Sequence, residues 1–313
     1  MDDGLNSRLR DQQIVLEKLR DVAQDNKVDM IIFLGDLYHL KNNADSQVIK
    51  IISSGLVDLT EVAPVLMVPG NHDYRMWSSE PALLETIIVL TQAPITILQK
   101  GWYSDMFYVH PYTRRIKEAE EELQKLEVPE GSIFLGHQDI KGANYGGFVV
   151  EHGLDPDLLS KKFKMSFIGH CHDAYMFRDN VFSIGAPMQH NFNDVGQPRG
   201  WWLWDLDSNQ LEQQLNDFSP QFHDWYFGKD KIKDSPADFD RDFFRVTIEG
   251  VNLPDEVKKL KWKRVNFISE EESKQRISIQ ISDSFGDALE KYVEVRGGNL
   301  NHEKLMEIGR KYI

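Results

Sequence analysis

The sequence predicts an α/β fold of stacked layers, and three observations carry that expectation. Short apolar runs of strand length alternate with stretches of helical periodicity along most of the chain. Four of the apolar runs end in a glycine followed by a polar cluster rich in Asp, Asn and His. Over 313 residues, an apolar fraction of 41% and a charged fraction of 27% match an ordinary globular protein with enough chain to bury a sizeable core.

Arg8 to Gln24 places Leu9, Ile14, Val15, Leu16, Leu19 and Val22 at spacings that approximate one helical face. The run from Asp29 to Leu34 enters Gly35-Asp36 and reads as a central strand buried on both faces. The pattern then repeats: a helix over Gln47 to Leu59, a strand over Pro64 to Val68, and the turn Gly70-Asn71-His72-Asp73. A helix is expected over Glu80 to Leu90, a strand over Asp105 to Val109, and a charged amphipathic helix over Arg114 to Leu126. Ser132 to Gly136 delivers His137, a helix over Leu158 to Phe163 follows, and Met165 to Gly169 delivers His170-Cys171-His172. Further strands are expected at Val181 to Ile184, from Gly200 to Trp204, and at Phe243 to Glu249. Pro220 to Asp242, rich in Asp, Lys and aromatics, reads as a boundary.

The four polar clusters are Gly35-Asp36, Gly70-Asn71-His72-Asp73, Gly136-His137 and Gly169-His170-Cys171-His172. In open α/β sheets, sites form where loops leave the carboxyl ends of strands, so four such clusters can converge on one crevice. Oxygen ligands mixed with imidazoles suit borderline metals such as manganese, zinc or iron. Two such ions about 3.5–4 Å apart would polarise a phosphodiester and acidify water, so phosphoester hydrolysis is the expected chemistry.

The ordered set Gly-Asp, Gly-Asn-His-Asp, Gly-His and Gly-His-x-His strongly resembles the calcineurin-like metallophosphoesterase superfamily. Gly35-Asp36-Leu37-Tyr38-His39 resembles the second motif of its SbcD-type DNA repair and recombination nucleases, and Ser183 to Gln189 and Gly200 to Asp205 resemble that branch's phage-encoded members. The likeness runs from about residue 8 to 217. It implies a layered β-sandwich flanked by helices, and a metal-dependent exonuclease and endonuclease subunit that uses two divalent ions, manganese by expectation. Asp36 would bridge the ions, Asn71, His137 and His170 would complete one shell, and His172 would belong to the other. His72 matches the histidine that assists the leaving oxygen, and His39 a supporting histidine that faces the phosphate.

The resemblance departs at its first motif, an Asp-x-His expected upstream of the Arg8 to Gln24 helix and absent from these residues. Gly4 to Asp11 resembles the segment just after that motif, so the expectation is that Met1 is an internal start. Loss of one ion is the alternative. The expected organisation is a catalytic domain over 1–217, a smaller α+β capping and DNA-recognition region over 218–284, and a helical tail over 285–313. By position in the family, that tail would bind an SbcC-like coiled-coil ATPase. A homodimer stays open, as do a phosphomonoesterase or cyclic-nucleotide phosphodiesterase on the same scaffold, and an impaired scaffold subunit.

Charge and cysteine usage narrow the setting. The net charge of −14 argues against a protein that grips nucleic acid over its whole surface. From Ser219 onward 17 basic residues meet 18 acidic ones, so 13 of the 14 excess negative charges lie upstream with the expected metal site. The single cysteine, Cys171, forms no intramolecular disulfide, which favours a reducing compartment, the cytoplasm by expectation. No apolar run reaches membrane-spanning length, so no membrane is expected. Lys258 to Arg264 combines basic residues with Trp262 and reads as a solvated strand or helix face that could also meet phosphates. His110 reads as a turn histidine, and His152, His190, His223 and His302 as surface or satisfied core residues.

Overall fold

The computed structural model describes residues 6–38, 45–74, 82–145, 148–228, 237–250, 252–268, 285–296, 301 and 303–306. The chain divides into two compact units, Met1–Pro220 and Gln221–Ile313.

The first unit opens with helix α1 (Ser7–Asp25), strand β1 (Ile31–Phe33), helix α2 (Ser46–Thr60), strand β2 (Val65–Met67), helix α3 (Ala82–Thr91) and strand β3 (Ile95–Ile97). The Asn6 and Asp45 side chains cap α1 and α2 by accepting from Arg8 N and Gln47 N, which satisfies donors that a helix start leaves open. The strands form a parallel sheet in the order β1-β2-β3, with Ile32 beside Leu66 and Leu66 beside Thr96. The central place expected for β1 belongs to β2, whose three residues are all buried, whereas β1 lies at the edge among the described strands.

Next come β4 (Gly101–Tyr103), β5 (Phe107–His110), α4 (Ile116–Lys125), β6 (Ile133–His137), the small ribbon β7 (Asn144–Tyr145) and β8 (Phe148–Val149), and α5 (Pro156–Lys162). They are followed by β9 (Met165–Gly169), β10 (Ala174–Arg178) and β11 (Val181–Ile184). A six-stranded sheet runs in the order β10-β11-β9-β6-β5-β4. Its four inner strands are parallel, and β10 and β4 close the edges antiparallel. A hairpin of β12 (Gly200–Asp205) and β13 (Gln210–Leu215) follows.

Alternation along single strands assigns the layers. Val65 and Met67 face a core built with Ile52, Leu56 and Leu59 of α2, while Leu66 and Val68 face a second core. That second core also takes Ile133 and Leu135 of β6 and Phe167 of β9, so it lies between the two sheets. Phe134 and Ile168 point the other way, against Leu123 of α4 and Leu159 of α5. Successive strand side chains project to opposite faces, so a fully apolar run such as Ile133 to Leu135 feeds two cores at once. The result is helices, sheet, sheet and helices, the layered α/β architecture the sequence predicts. The short β3, β4 and β10 escape the sequence reading because each has three to five residues with mixed burial.

The second unit holds β14 (Phe222–Phe227), β15 (Phe243–Glu249), α6 (Asp255–Lys258), β16 (Trp262–Ile268) and α7 (Phe285–Arg296). Its three strands are parallel in the order β14-β15-β16 over a core of Trp225, Phe244, Val246, Ile248, Val257 and Leu260. The basic run spans the end of α6 and the start of β16, where Lys263 and Arg264 are exposed and the Lys261 ammonium lies 5.5 Å from the Trp262 ring. Among the described residues, no helix is long and apolar enough to cross a membrane.

A candidate metal centre at the carboxyl ends of two sheets

Four strands from both sheets of the first unit end at one place. β1 leads into Gly35-Asp36, β2 into Gly70-Asn71-His72-Asp73, β6 terminates on His137, and β9 leads into His170. The backbone departs from ordinary geometry here, with φ at +91° for Gly35, +58° for Asp36 and +94° for His170. Such values cost about 1–3 kcal/mol each in a residue with a Cβ and persist where the surroundings enforce them. Glycine is required for close approach as well. A Cβ on Gly35 would lie 2.3 Å from His137 Nδ1, one on Gly70 2.4 Å from Asp36 Oδ1, and one on Gly169 2.0 Å from the Leu34 carbonyl oxygen.

The loops are stapled by Asp73, which is fully buried. Its carboxylate accepts from the backbone N–H groups of Gly70 at 2.8 Å, Asp36 at 2.9 Å and Leu37 at 3.1 Å, tying the β2 loop to the β1 loop. Burial pushes this carboxyl up to about 6. Burial also works against the Asp36 anion, but the His137 ring 3.2 Å away and the hydrogen bond from the His72 backbone N–H outweigh it and hold that carboxyl below its ordinary value.

The side-chain donors then converge. His137 Nε2 lies 3.1 Å from Asn71 Oδ1, 3.2 Å from Asp36 Oδ2 and 3.3 Å from His170 Nδ1, and His170 Nδ1 lies 2.9 Å from Asn71 Oδ1. One ligand atom from each of Asp36, His137 and His170 lies within 4.8 Å of the others. Donors gathered at about 2.1 Å around one ion would be spaced about 3 Å from each other, which is the spacing found.

The far side of each ring fixes which nitrogen carries the proton. His137 Nδ1 is 2.5 Å from the Leu34 carbonyl oxygen and must donate to it, which leaves a lone pair on Nε2. His170 Nε2 is 3.2 Å from Asp139 Oδ1, which in the same way leaves the lone pair on Nδ1. Two imidazole lone pairs therefore face each other at 3.3 Å beside two oxygen acceptors. Four acceptors repel unless a cation sits among them, so the residues present fit a divalent metal. Carboxylate or carbonyl partners behind ligating histidines are the usual supporting arrangement in such sites.

The structure thus brings together Asp36, Asn71, His137 and His170 among the residues singled out from sequence. His172 is not among those grouped ligands, and its ring lies 5.2 Å from His190. Desolvation lowers the His172 imidazole, and it pushes His190 down to about 4 with the His172 ring adding to the effect. His72 follows Asn71, and its backbone N–H donates to Asp36 Oδ1 at 2.7 Å. His39 lies outside the described residues. Cys171 is a buried thiol that does not belong to the cluster. His110 is not a turn histidine: it ends strand β5, is buried against Phe134, and burial pushes it down to about 4.

Sequence reasoning missed Asp73 as the staple, Asp139 behind His170, and Tyr112, whose ring lies 6.3 Å from His137 and 5.7 Å from His170. Asp139, two residues after His137, carried a signal in its spacing; Tyr112 carried none.

Residues 10–174 match the family model described as calcineurin-like phosphoesterase. The chain is similar to the SbcD component of nuclease SbcCD from Staphylococcus epidermidis, 21% identical over 65% of this chain and 62% of that protein. It is also similar to "Exonuclease subunit 1" of Enterobacteria phage T4, 23% identical over 66% of this chain and 60% of that protein. A further relative, the SbcD component of nuclease SbcCD from Staphylococcus saprophyticus, is 20% identical over 68% and 65% of the two chains. The chain spans less than two thirds of the length of these relatives. With the family model covering more than half of its residues, the chain belongs to the calcineurin-like phosphoesterase family.

Proposed function

We propose that this chain is a metal-dependent DNA nuclease subunit that hydrolyses phosphodiester bonds in repair or recombination, in the cytoplasm, with an SbcC-like coiled-coil ATPase as its partner. The observation that carries the reading is the set of four acceptors on Asp36, Asn71, His137 and His170, spaced for one ion. The family, a phosphoesterase, and the names of the relatives, a nuclease and an exonuclease, support phosphodiester hydrolysis of nucleic acid. Divalent cations, manganese by choice, would supply Lewis-acid polarisation of a phosphate oxygen.

The chain's own residues do the rest. Asp36 would serve both ions, since Oδ2 faces His137 while Oδ1 faces the His72 backbone. His172 would belong to the second ion. The His72 imidazole, on the loop held by Asp36, would hold the proton that leaves with the sugar oxygen, and His39 would support the phosphate. The C-terminal unit would cap the DNA, and the tail from Phe285 would meet the ATPase.

His72→Ala tests this assignment. Turnover of linear duplex DNA should fall about 10²–10⁴-fold, as expected for a lost general acid, with metal content unchanged. Unaltered turnover refutes the role of His72. Hydrolysis of nitrophenyl phosphate without hydrolysis of duplex DNA would refute the nuclease reading in favour of a phosphomonoesterase.

A further inference from the structure

Beside the four-donor cluster, the structure pairs two histidines whose loops are unusually well pinned. The His172 and His190 ring centroids are 5.2 Å apart, inclined at 51°. Among the described residues, neither ring has a hydrogen-bond partner. Both rings reach the surface, so their proximity is not a by-product of core packing.

The backbone on each side is fixed by a buried ionic relay. Asp194 Oδ2 accepts from the backbone N–H of His190 at 2.6 Å and of Asn191 at 3.2 Å. Arg199, its side chain only 2% exposed, donates through Nη2 to Asp194 at 2.9 Å and to Asp173, the neighbour of His172, also at 2.9 Å. The Arg8 guanidinium holds the Gln189 carbonyl at 2.7 Å, and Ala186 N–H donates to the His172 carbonyl at 2.8 Å. A buried charged network is a weak source of net stability, so its consequence here is position: it sets one imidazole against another. Two adjacent imidazoles without partners are a ligand pair for a borderline divalent cation.

We propose that His190 joins His172 as a ligand of a second divalent cation, next to the centre built on Asp36, Asn71, His137 and His170. This rests on the metal-centre reading above and adds to it a residue that no strand-end motif marks. His190 adds a second imidazole beside His172, the ring expected to hold that ion.

The test is calorimetric titration of the intact chain with Zn²⁺ alone, with elemental analysis of the loaded protein, for the wild type, His190→Ala, His172→Ala and Asn71→Ala. The wild type should take up two ions. His190→Ala and His172→Ala should each weaken the same single event about tenfold or more, while Asn71→Ala weakens the other. His190→Ala removes a surface ring and keeps the backbone bond to Asp194, so its circular dichroism and melting temperature should match the wild type. A His190→Ala isotherm that superimposes on the wild type overturns the proposal. A wild type that binds no ion, or an Asn71→Ala protein that keeps both events intact, overturns the metal centre itself.

Discussion

Two histidine–aspartate pairs, one in each unit, have nearly the same separation and opposite surroundings. In the first unit His170 Nε2 lies 3.2 Å from Asp139, and the side chains are 21% and 32% exposed. In the second His223 Nε2 lies 3.0 Å from Asp242, at 3% and 1% exposure. Asp242 is saturated, accepting also from Gln221 N, Asp238 N and Arg241 Nε, and the His223 ring is stacked on Phe244. It ties together the segments that enter β14 and β15. Asp139, by contrast, lies behind a ring whose other nitrogen faces Asn71 and His137. A short His–Asp contact therefore marks neither function nor structure; what the second ring nitrogen meets does.

That difference separates the consequences of mutation. Asp242→Ala removes the buried carboxylate that His223 Nε2, Arg241 Nε and two backbone N–H groups share, and should destabilise the second unit by about 3–5 kcal/mol in denaturant unfolding. Its metal uptake should be unchanged. Asp139→Asn should lower metal affinity about 10–100-fold by titration while moving the melting temperature little, because the pair is partly exposed and its task is to orient a ligand. A larger loss of stability than of affinity at Asp139 would erase the distinction.

Acidification offers the smallest and most diffuse test. Burial opposes the Asp242 anion, but its hydrogen bonds from His223 and Arg241 outweigh that and hold the carboxyl well below the ordinary range. A carboxyl lowered in the folded state contributes stability that is complete above its unfolded value of about 3.9 and is lost as pH falls toward the folded value. The second unit should therefore lose stability gradually as pH falls below about 4. Asp242→Asn should flatten that slope in pH-dependent unfolding.

Much of this was legible from residue order. Apolar runs such as Ile133 to Leu135 announced strands buried on both faces, and glycine before Asp36, Asn71, His137 and His170 announced the turns that bring ligands together. Both are local properties of a few consecutive residues. What stayed hidden depends on partners far apart in the chain. The edge position of β1, the Asp73 staple between two loops, Asp139 behind His170, Tyr112 over the ligand rings, and the meeting of His172 with His190 all arise from how two sheets pack and where their loops cross. The residue order specifies which donors are offered and at which strand ends. The packed sandwich specifies which nitrogen faces which oxygen, because hydrogen-bond direction and lone-pair orientation are set by neighbours that share no local pattern.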